Sequence, residues 1–245
     1  HAGAGDKGLP LAADVEEAGM EGDRPRQPGE DEARRVVKGI GDVLAAAEGA
    51  GALSLACDVS DAAAVSALSD RLRAEWGGLD VLVHCAGIIH EAPLLQTPVA
   101  DFDRVIAVNL RGSFLVGRAA IGLMTPDPAA PPRVLMIASD MAHYGRETFS
   151  PYVASKHGVL GLVRSWAKEF APGILVNAIC PGPIDTEMLG AAHMSAKWRA
   201  RELAIPLARF GQPEEVAALA WFLAGDGGRF FTGQAIGPNG GSIMP

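Results

Sequence analysis

From about residue 52 onward, short and nearly continuous apolar runs alternate with longer stretches in which apolar side chains recur every three to four positions. The runs at 52–59, 79–86, 133–139 and 174–179 read as strands covered by helices on both faces. Between them the helical period predicts helices at 61–76, about 99–123, 152–171 and 213–224. Ser60 and Asp61 give a helix start, and Pro213 with Glu214 and Glu215 suits a first helical turn. Prolines between 126 and 132 close the second helix before the next strand. Such alternation builds βαβ units, so the expected fold class is α/β: a single doubly wound, Rossmann-like parallel sheet with helices on both faces. Residues 1–245 are read as one domain in which 1–50 are atypical. Residues 1–24 hold no apolar run of strand character, 24–32 are polar and contain proline, and helical periodicity returns only at about 31–47.

Charge and cysteine content remove several function classes. With 29 acidic and 21 basic side chains the formal charge is -8, and no basic stretch offers a hold to phosphate backbones or anionic lipid. Neither nucleic acid nor a membrane surface is an expected partner. Cys57, Cys85 and Cys180 lie in apolar runs without metal-ligand spacing, so they are expected to be buried thiols in a reducing compartment, with no metal. No apolar segment reaches the ~18 residues of a membrane span, and the N-terminus lacks the layout of a signal peptide. The expected location is cytoplasmic.

The strongest chemical constellation is Ser139, at the end of an apolar strand, followed by Tyr152 and Lys156. Four residues apart on a helix, the phenol and the ammonium share one face. An ammonium within ~4–6 Å favours the ionised phenol and should pull its pKa down from ~10, making Tyr152 a usable proton donor and acceptor. Ser139 ends a strand where doubly wound sheets open onto their ligand crevice, so its hydroxyl could hold a substrate oxygen. Taken alone, the Tyr-x-x-x-Lys spacing also fits a core tyrosine and a surface lysine.

Further segments remove that isolation. Cys85-Ala86-Gly87 follows a strand, Asn109 sits in Val-Asn-Leu-Arg-Gly, and Pro181-Gly182-Pro183-Ile184-Asp185-Thr186 follows the fourth run. Thr232-Gly233-Gln234 and Asn239-Gly240-Gly241 lie near the C-terminus. In these segments, in order and spacing, the last three quarters of the chain resembles the short-chain dehydrogenase/reductase family; among its subfamilies the 3-oxoacyl-carrier-protein reductases look closest.

The resemblance implies an NAD(P)-dependent oxidoreductase that interconverts a small-molecule carbonyl and a secondary alcohol by hydride transfer. Tyr152 would move the proton, Ser139 would hold the oxygen, Lys156 would lower the tyrosine pKa and bind the nicotinamide ribose, and Asn109 would bind a water linking Lys156 to solvent. For the cofactor, Asp58 would accept from the adenine amino group with the Val59 backbone beside it. Ala86 and Gly87 would lie against a ribose, and Gly87 has no Cβ to obstruct it. Pro181 and Gly182 would shape the turn that brings the Ile184 backbone to the carboxamide, with Thr186 as a second polar contact. Met188, Leu189, Met194 and Trp198 are candidates for an apolar substrate wall or for ordinary helix packing.

Two departures stand out. Cys85 replaces the family's asparagine, removing an amide that ties neighbouring strands. The family's opening strand and Thr-Gly-x-x-x-Gly-x-Gly turn are absent, and although Gly3, Gly5 and Gly8 spell Gly-x-Gly-x-x-Gly, no strand precedes them. The alternative function is therefore a catalytically inactive binding or scaffolding protein with the same shell. Asp23 stands where a carboxylate would accept from ribose hydroxyls, favouring NAD over NADP, whereas Arg24 and Arg26 could hold a 2′-phosphate. The apolar residues of 152–171 spread beyond one helical stripe, which predicts a homotetramer or homodimer built through the helices at 99–123 and 152–171, with a second contact near 235–237.

Overall fold

The computed structural model describes residues 53–244. The readings made for Gly3, Gly5, Gly8, Asp23, Arg24, Arg26 and the helix at 31–47 lie outside the described residues. Four strands, β1 (Val81–His84), β2 (Arg133–Ile137), β3 (Leu175–Ile179) and β4 (Ala235–Ile236), form a sheet in the order β1-β2-β3-β4. All three pairings are parallel; Val81 stands opposite Arg133, Arg133 opposite Leu175, and Ala178 opposite Ala235.

Helices make the crossovers that parallel pairing requires. Helix α1 (Ala62–Trp76) leads into β1, and α2 (Val99–Val105), a π-helical segment (Ile106–Arg111) and α3 (Gly112–Ile121) join β1 to β2. Helix α4 (Ser150–Phe170) joins β2 to β3, and α5 (Ala196–Glu202) with α6 (Pro213–Ala224) joins β3 to β4. The start of α1 is as expected: Asp61 is its N-cap and accepts from the Ala63 N–H, and Gly77 ends it at φ 76°.

The apolar runs are continuous because the sheet is covered twice. Val134, Met136, Val176 and Ala178 pack with Val159, Val163 and Trp166 of α4, while Leu135 and Ile179 turn to the opposite face, against Leu223, Val216 and Leu219 of α6. Alternate side chains of one strand thus enter two apolar layers. The architecture is a parallel sheet with helices on both faces, as the sequence predicts.

Three expectations are corrected. Residues 53–58 form no strand, because strand structure exists only through ladder hydrogen bonds and no described residue supplies them to this segment. The apolar excess of α4 is largely used within the chain: Val159, Leu160, Val163, Trp166 and Ala167 are all buried. Exposed apolar side chains instead gather before and along α2 and α3, at Leu94, Leu95, Val99, Phe102 and Phe114. Of the three thiols only Cys180 is buried, Cys57 being half-buried and Cys85 exposed. No helix among the described residues is long and apolar enough to cross a membrane.

Candidate active site

A cavity of about 1080 Å³ opens at the carboxyl ends of the strands. This is the crevice in which open α/β sheets bind ligands, and it lies at the upper end of the ~300–1,000 Å³ usual for small-molecule sites. The ends of β1, β2 and β3 contribute to its wall. Cys85 and Gly87 follow β1, Ser139 follows β2, and Pro181 and Gly182 follow β3. Tyr152 and Lys156 reach the wall from the first two turns of α4. Ile184 and Thr186 also line it, with Ile184 held by a parallel bridge to Gly211.

Local structure explains how these groups meet. Ser139 is extended and caps the 3₁₀ turn Asp140–Ala142, its Oγ accepting from the Met141 N–H at 3.2 Å. Tyr152 and Lys156 are both buried, and the Lys156 Nζ lies 5.7 Å from the centre of the Tyr152 ring. One of the three ammonium donors goes to the Ile137 carbonyl at 2.9 Å. Gly87 sits directly against this pair: a Cβ there would lie 3.3 Å from Lys156 Nζ and 3.4 Å from Asn109 Oδ1. Gly182 is pressed on the chain after β4, where a Cβ would meet the Asn239 backbone at 2.8 Å.

The electrostatics correct one expectation. The phenol of Tyr152 is not pulled down; burial pushes it up to about 12, the Asp140 and Cys180 charges add to the rise, and a hydrogen bond shared with Ser139 opposes it. Burial pushes the Lys156 ammonium down to about 8, with Cys85 and Cys180 opposing. Both shifts have burial as their largest cause: a dry site disfavours either charged form.

Asn109 occupies the π-helical segment, a feature often found at functional positions, and it is fully buried. Its Oδ1 accepts from the Ile88 N–H at 2.8 Å, and its Nδ2 donates to the Ile88 carbonyl at 2.8 Å and to Ser155 Oγ at 3.0 Å. The amide thus clamps the segment after β1 to α4, and both of its donors are used. Only a lone pair of Oδ1, on the Gly87 side, is left for the expected water.

Asp58, Val59 and Ala86 are not part of the cavity wall. The Asp58 carboxylate accepts from the backbone and hydroxyl of Ser60, at 2.8 and 2.7 Å, which holds its pKa below the usual range. Val59 packs against Gly112. Met188 and Leu189 line the cavity, whereas Met194 and Trp198 do not. The Trp198 ring instead meets the guanidinium groups of Arg146 and Arg201, at 5.2 and 4.9 Å from its centre.

A polar cluster beside Ser139 has no counterpart in the sequence reading. Buried Asp140 meets Ser139, Tyr144 and Ser242, while Arg146 makes a two-point ion pair with buried Glu202, Nη1 donating to Oε2 at 3.2 Å and Nη2 to Oε1. Asp140 is next to Ser139 in the chain, which was the one available signal. Glu202 and Ser242 come from 56 and 102 positions away, and nothing in their local sequence marks them.

His84 ends β1 on the buried side, and its Nε2 has no hydrogen-bond partner among the described residues. Burial first, then the Lys156 charge, holds its pKa down to about 4. The unfolded chain therefore binds more protons between about pH 6.5 and 4. Stability should be full above pH 6.5 and fall by about 3 kcal/mol as pH drops to 4. Urea unfolding across that window should show the slope, and His84→Leu should flatten it; an unchanged slope in the variant would assign it elsewhere.

The residues present suit a nicotinamide dinucleotide. A bare glycine backbone, a buried ammonium with donors left over and the Pro181–Thr186 turn face one cavity at the sheet's carboxyl edge. Comparison with known proteins gives the family. Residues 32–242 match the family model described as enoyl-(acyl carrier protein) reductase. The chain is 38% identical over 188 residues to a 3-oxoacyl-acyl-carrier-protein reductase of Thermotoga maritima, covering 76% of this chain and 75% of that protein. It is 40% identical over 212 residues to a cis-4-hydroxycyclohexanecarboxylate dehydrogenase of Sinomonas cyclohexanicum, covering 84% and 83%. Among solved structures, a dehydrogenase/reductase from Sinorhizobium meliloti superposes with a TM-score of 0.74 at 36% identity, covering 87% of this chain and 81% of that one. With the sheet, the crevice and these matches agreeing, the chain belongs to the short-chain dehydrogenase/reductase family of oxidoreductases.

Proposed function

We propose that this chain, acting as one domain, is an NAD(P)-dependent oxidoreductase that interconverts a small carbonyl compound and a secondary alcohol. The observation that carries the reading is the convergence of Ser139, Tyr152 and Lys156 on one cavity wall, with the bare backbone of Gly87 beside them. The bound nicotinamide supplies or accepts the hydride. Ser139 and Tyr152 hold the substrate oxygen, and Tyr152, protonated at neutral pH, gives its proton to that oxygen during reduction and takes one back during oxidation. Lys156 would give its spare donors to ribose hydroxyls, and Asn109 ties down the segment that follows Gly87. Pro181, Gly182, Ile184 and Thr186 position the carboxamide, while Asp58, Val59 and Ala86 serve the adenosine half. NAD is the expected cofactor, on the strength of Asp23. Fluorescence titration with NADH and NADPH tests the reading; binding of neither would sink it, and a tenfold efficiency advantage for NADPH would remove the Asp23 assignment.

The assembly is proposed to be a homotetramer or homodimer, supported by the exposed Val99, Phe102 and Phe114 on α2 and α3. Large apolar side chains exposed on successive helices suit burial against a second copy. Sedimentation at micromolar concentration should find a species of at least twice 25.4 kDa, and a 25.4 kDa species would rule the assembly out.

A further inference from the structure

Arg133 opens β2 at the amino edge of the sheet, the end opposite Ser139. Side chains alternate along a strand, so Arg133 falls on the face of Leu135, toward α6 and away from α4. It is only 5% exposed. A guanidinium buried to that degree calls for a counter-charge and for hydrogen-bond acceptors. Among the described residues Arg133 has neither: its Nε is buried without a partner, and no carboxylate lies in ion-pair contact with it. Arg146, nearly as well covered, shows what is missing, since both oxygens of Glu202 hold its terminal nitrogens.

Arg133 lines a second cavity, of about 310 Å³, where the amino ends of β1 and β2 meet the end of α6. Arg229 lines it too. That side chain pairs with exposed Asp226 at 3.1 Å and donates from Nη2 to the Ala129 carbonyl at 2.9 Å, while its Nη1 has no partner among the described residues. The two guanidinium groups repel each other across the cavity. Burial first, and then the Arg229 charge, lower the Arg133 pKa from its ordinary value, with Asp226 opposing. Exposed Asp80 completes the polar wall. The cavity adjoins the larger one at Val81 and Ala224 but includes none of the residues given a part in the reaction.

We propose that Arg133 and Arg229 form an oxyanion-binding site at the amino edge of the sheet, one that takes a phosphate or carboxylate group of a small molecule. The planar fork of arginine matches either group at two points. The volume lies at the lower end of the ~300–1,000 Å³ usual for small-molecule sites, room for an anionic group and a short remainder. A bound oxyanion supplies what the fold leaves out: acceptors for Arg133, and a negative charge between two positive ones. The site stands independently of the oxidoreductase reading.

The test is urea unfolding of the full chain in increasing sodium phosphate, and separately in sodium acetate, with sodium chloride holding ionic strength constant. An anion bound only by the folded state stabilises it in a saturable way. General exclusion of phosphate from protein surfaces stabilises parent and variants alike, without saturation. At a formal charge of -8 the chain as a whole attracts no anion. A saturable response to phosphate, to acetate or to both is expected, and the stronger of the two names the group. Arg133→Met should weaken that response at least tenfold, as for loss of a charge-assisted pair. It should also leave the protein no less stable in chloride alone, where a structural ion pair would cost stability. Two exposed positions give opposite signs with little risk to folding: Arg229→Gln should weaken the response roughly three- to tenfold, and Asp80→Asn should tighten it roughly two- to fivefold. NADH and NADPH affinities should be unchanged in all three variants. Absence of a saturable response in the parent, or a response that Arg229→Gln and Asp80→Asn leave alone, would overturn the proposal. A fall in cofactor affinity in Arg229→Gln would also overturn it, by assigning the arginines to the cofactor.

Discussion

Tyr152→Phe is expected to lower turnover by roughly 10²–10⁴-fold, the usual worth of a positioned proton donor, while NADH affinity stays within a few-fold. The ring is buried and phenylalanine fills the same space, so the packing of α4 against the sheet is retained. What goes is the hydroxyl and its hydrogen bond with Ser139. That oxygen, hydrogen-bonded to Ser139, can both give and take a proton on the cavity wall while keeping its proton at neutral pH. Steady-state rates measured with fluorescence-determined cofactor affinity separate the two effects. Turnover within tenfold of the parent would remove Tyr152 from the mechanism.

Lys156→Met should produce an opposite pattern in stability and binding. Burial drives the ammonium down to about 8, so at pH 7 the folded protein holds a charge it disfavours. The sign follows from linkage. Between about pH 8 and 10.5 the unfolded chain binds more protons, so this lysine costs the folded state about 3 kcal/mol at pH 7, a cost that disappears as pH rises through that window. Methionine keeps the stem's volume and removes the charge, leaving the Ile137 carbonyl without its donor at an offsetting cost of about 1–3 kcal/mol. Urea unfolding of the cofactor-free variant at pH 7 should show no loss of stability. NADH affinity should nevertheless fall by roughly 10–100-fold, the worth of hydrogen bonds from a charged group. In the parent the NADH Kd should be flat below pH 8 and rise above it. A variant that binds NADH as the parent does would take Lys156 out of the cofactor site.

The sheet was legible because β2 and β3 are covered on two faces, which leaves continuous apolar runs such as Val134–Met136 that no surface element would carry. Residues 52–59 show the limit of that signal. An apolar run states that a segment suits a sheet, but the ladder needs a neighbour, and none is found among the described residues. Ser139, Tyr152 and Lys156 were readable from spacing because two of them share a helix face and the third ends a strand. The sign of the tyrosine shift was not, since pair spacing reports proximity and says nothing about how dry the pair is. Nor was the clamp made by Asn109, whose partners are backbone atoms of Ile88. The cluster of Asp140, Arg146, Glu202 and Ser242 is assembled by tertiary folding from three distant segments, and no local pattern records it.

The measurement that bears most directly on the central claim is transfer of label. The full chain is incubated with NADH or NADPH deuterated at the nicotinamide C4 position and with carbonyl probes that include cyclohexanone, and the alcohol is recovered for mass analysis. The expected result is one deuterium at the carbinol carbon, on one face, lost in Tyr152→Phe. Cofactor binding with no deuterium in the product of any probe would contradict the claim that this site interconverts carbonyls and alcohols.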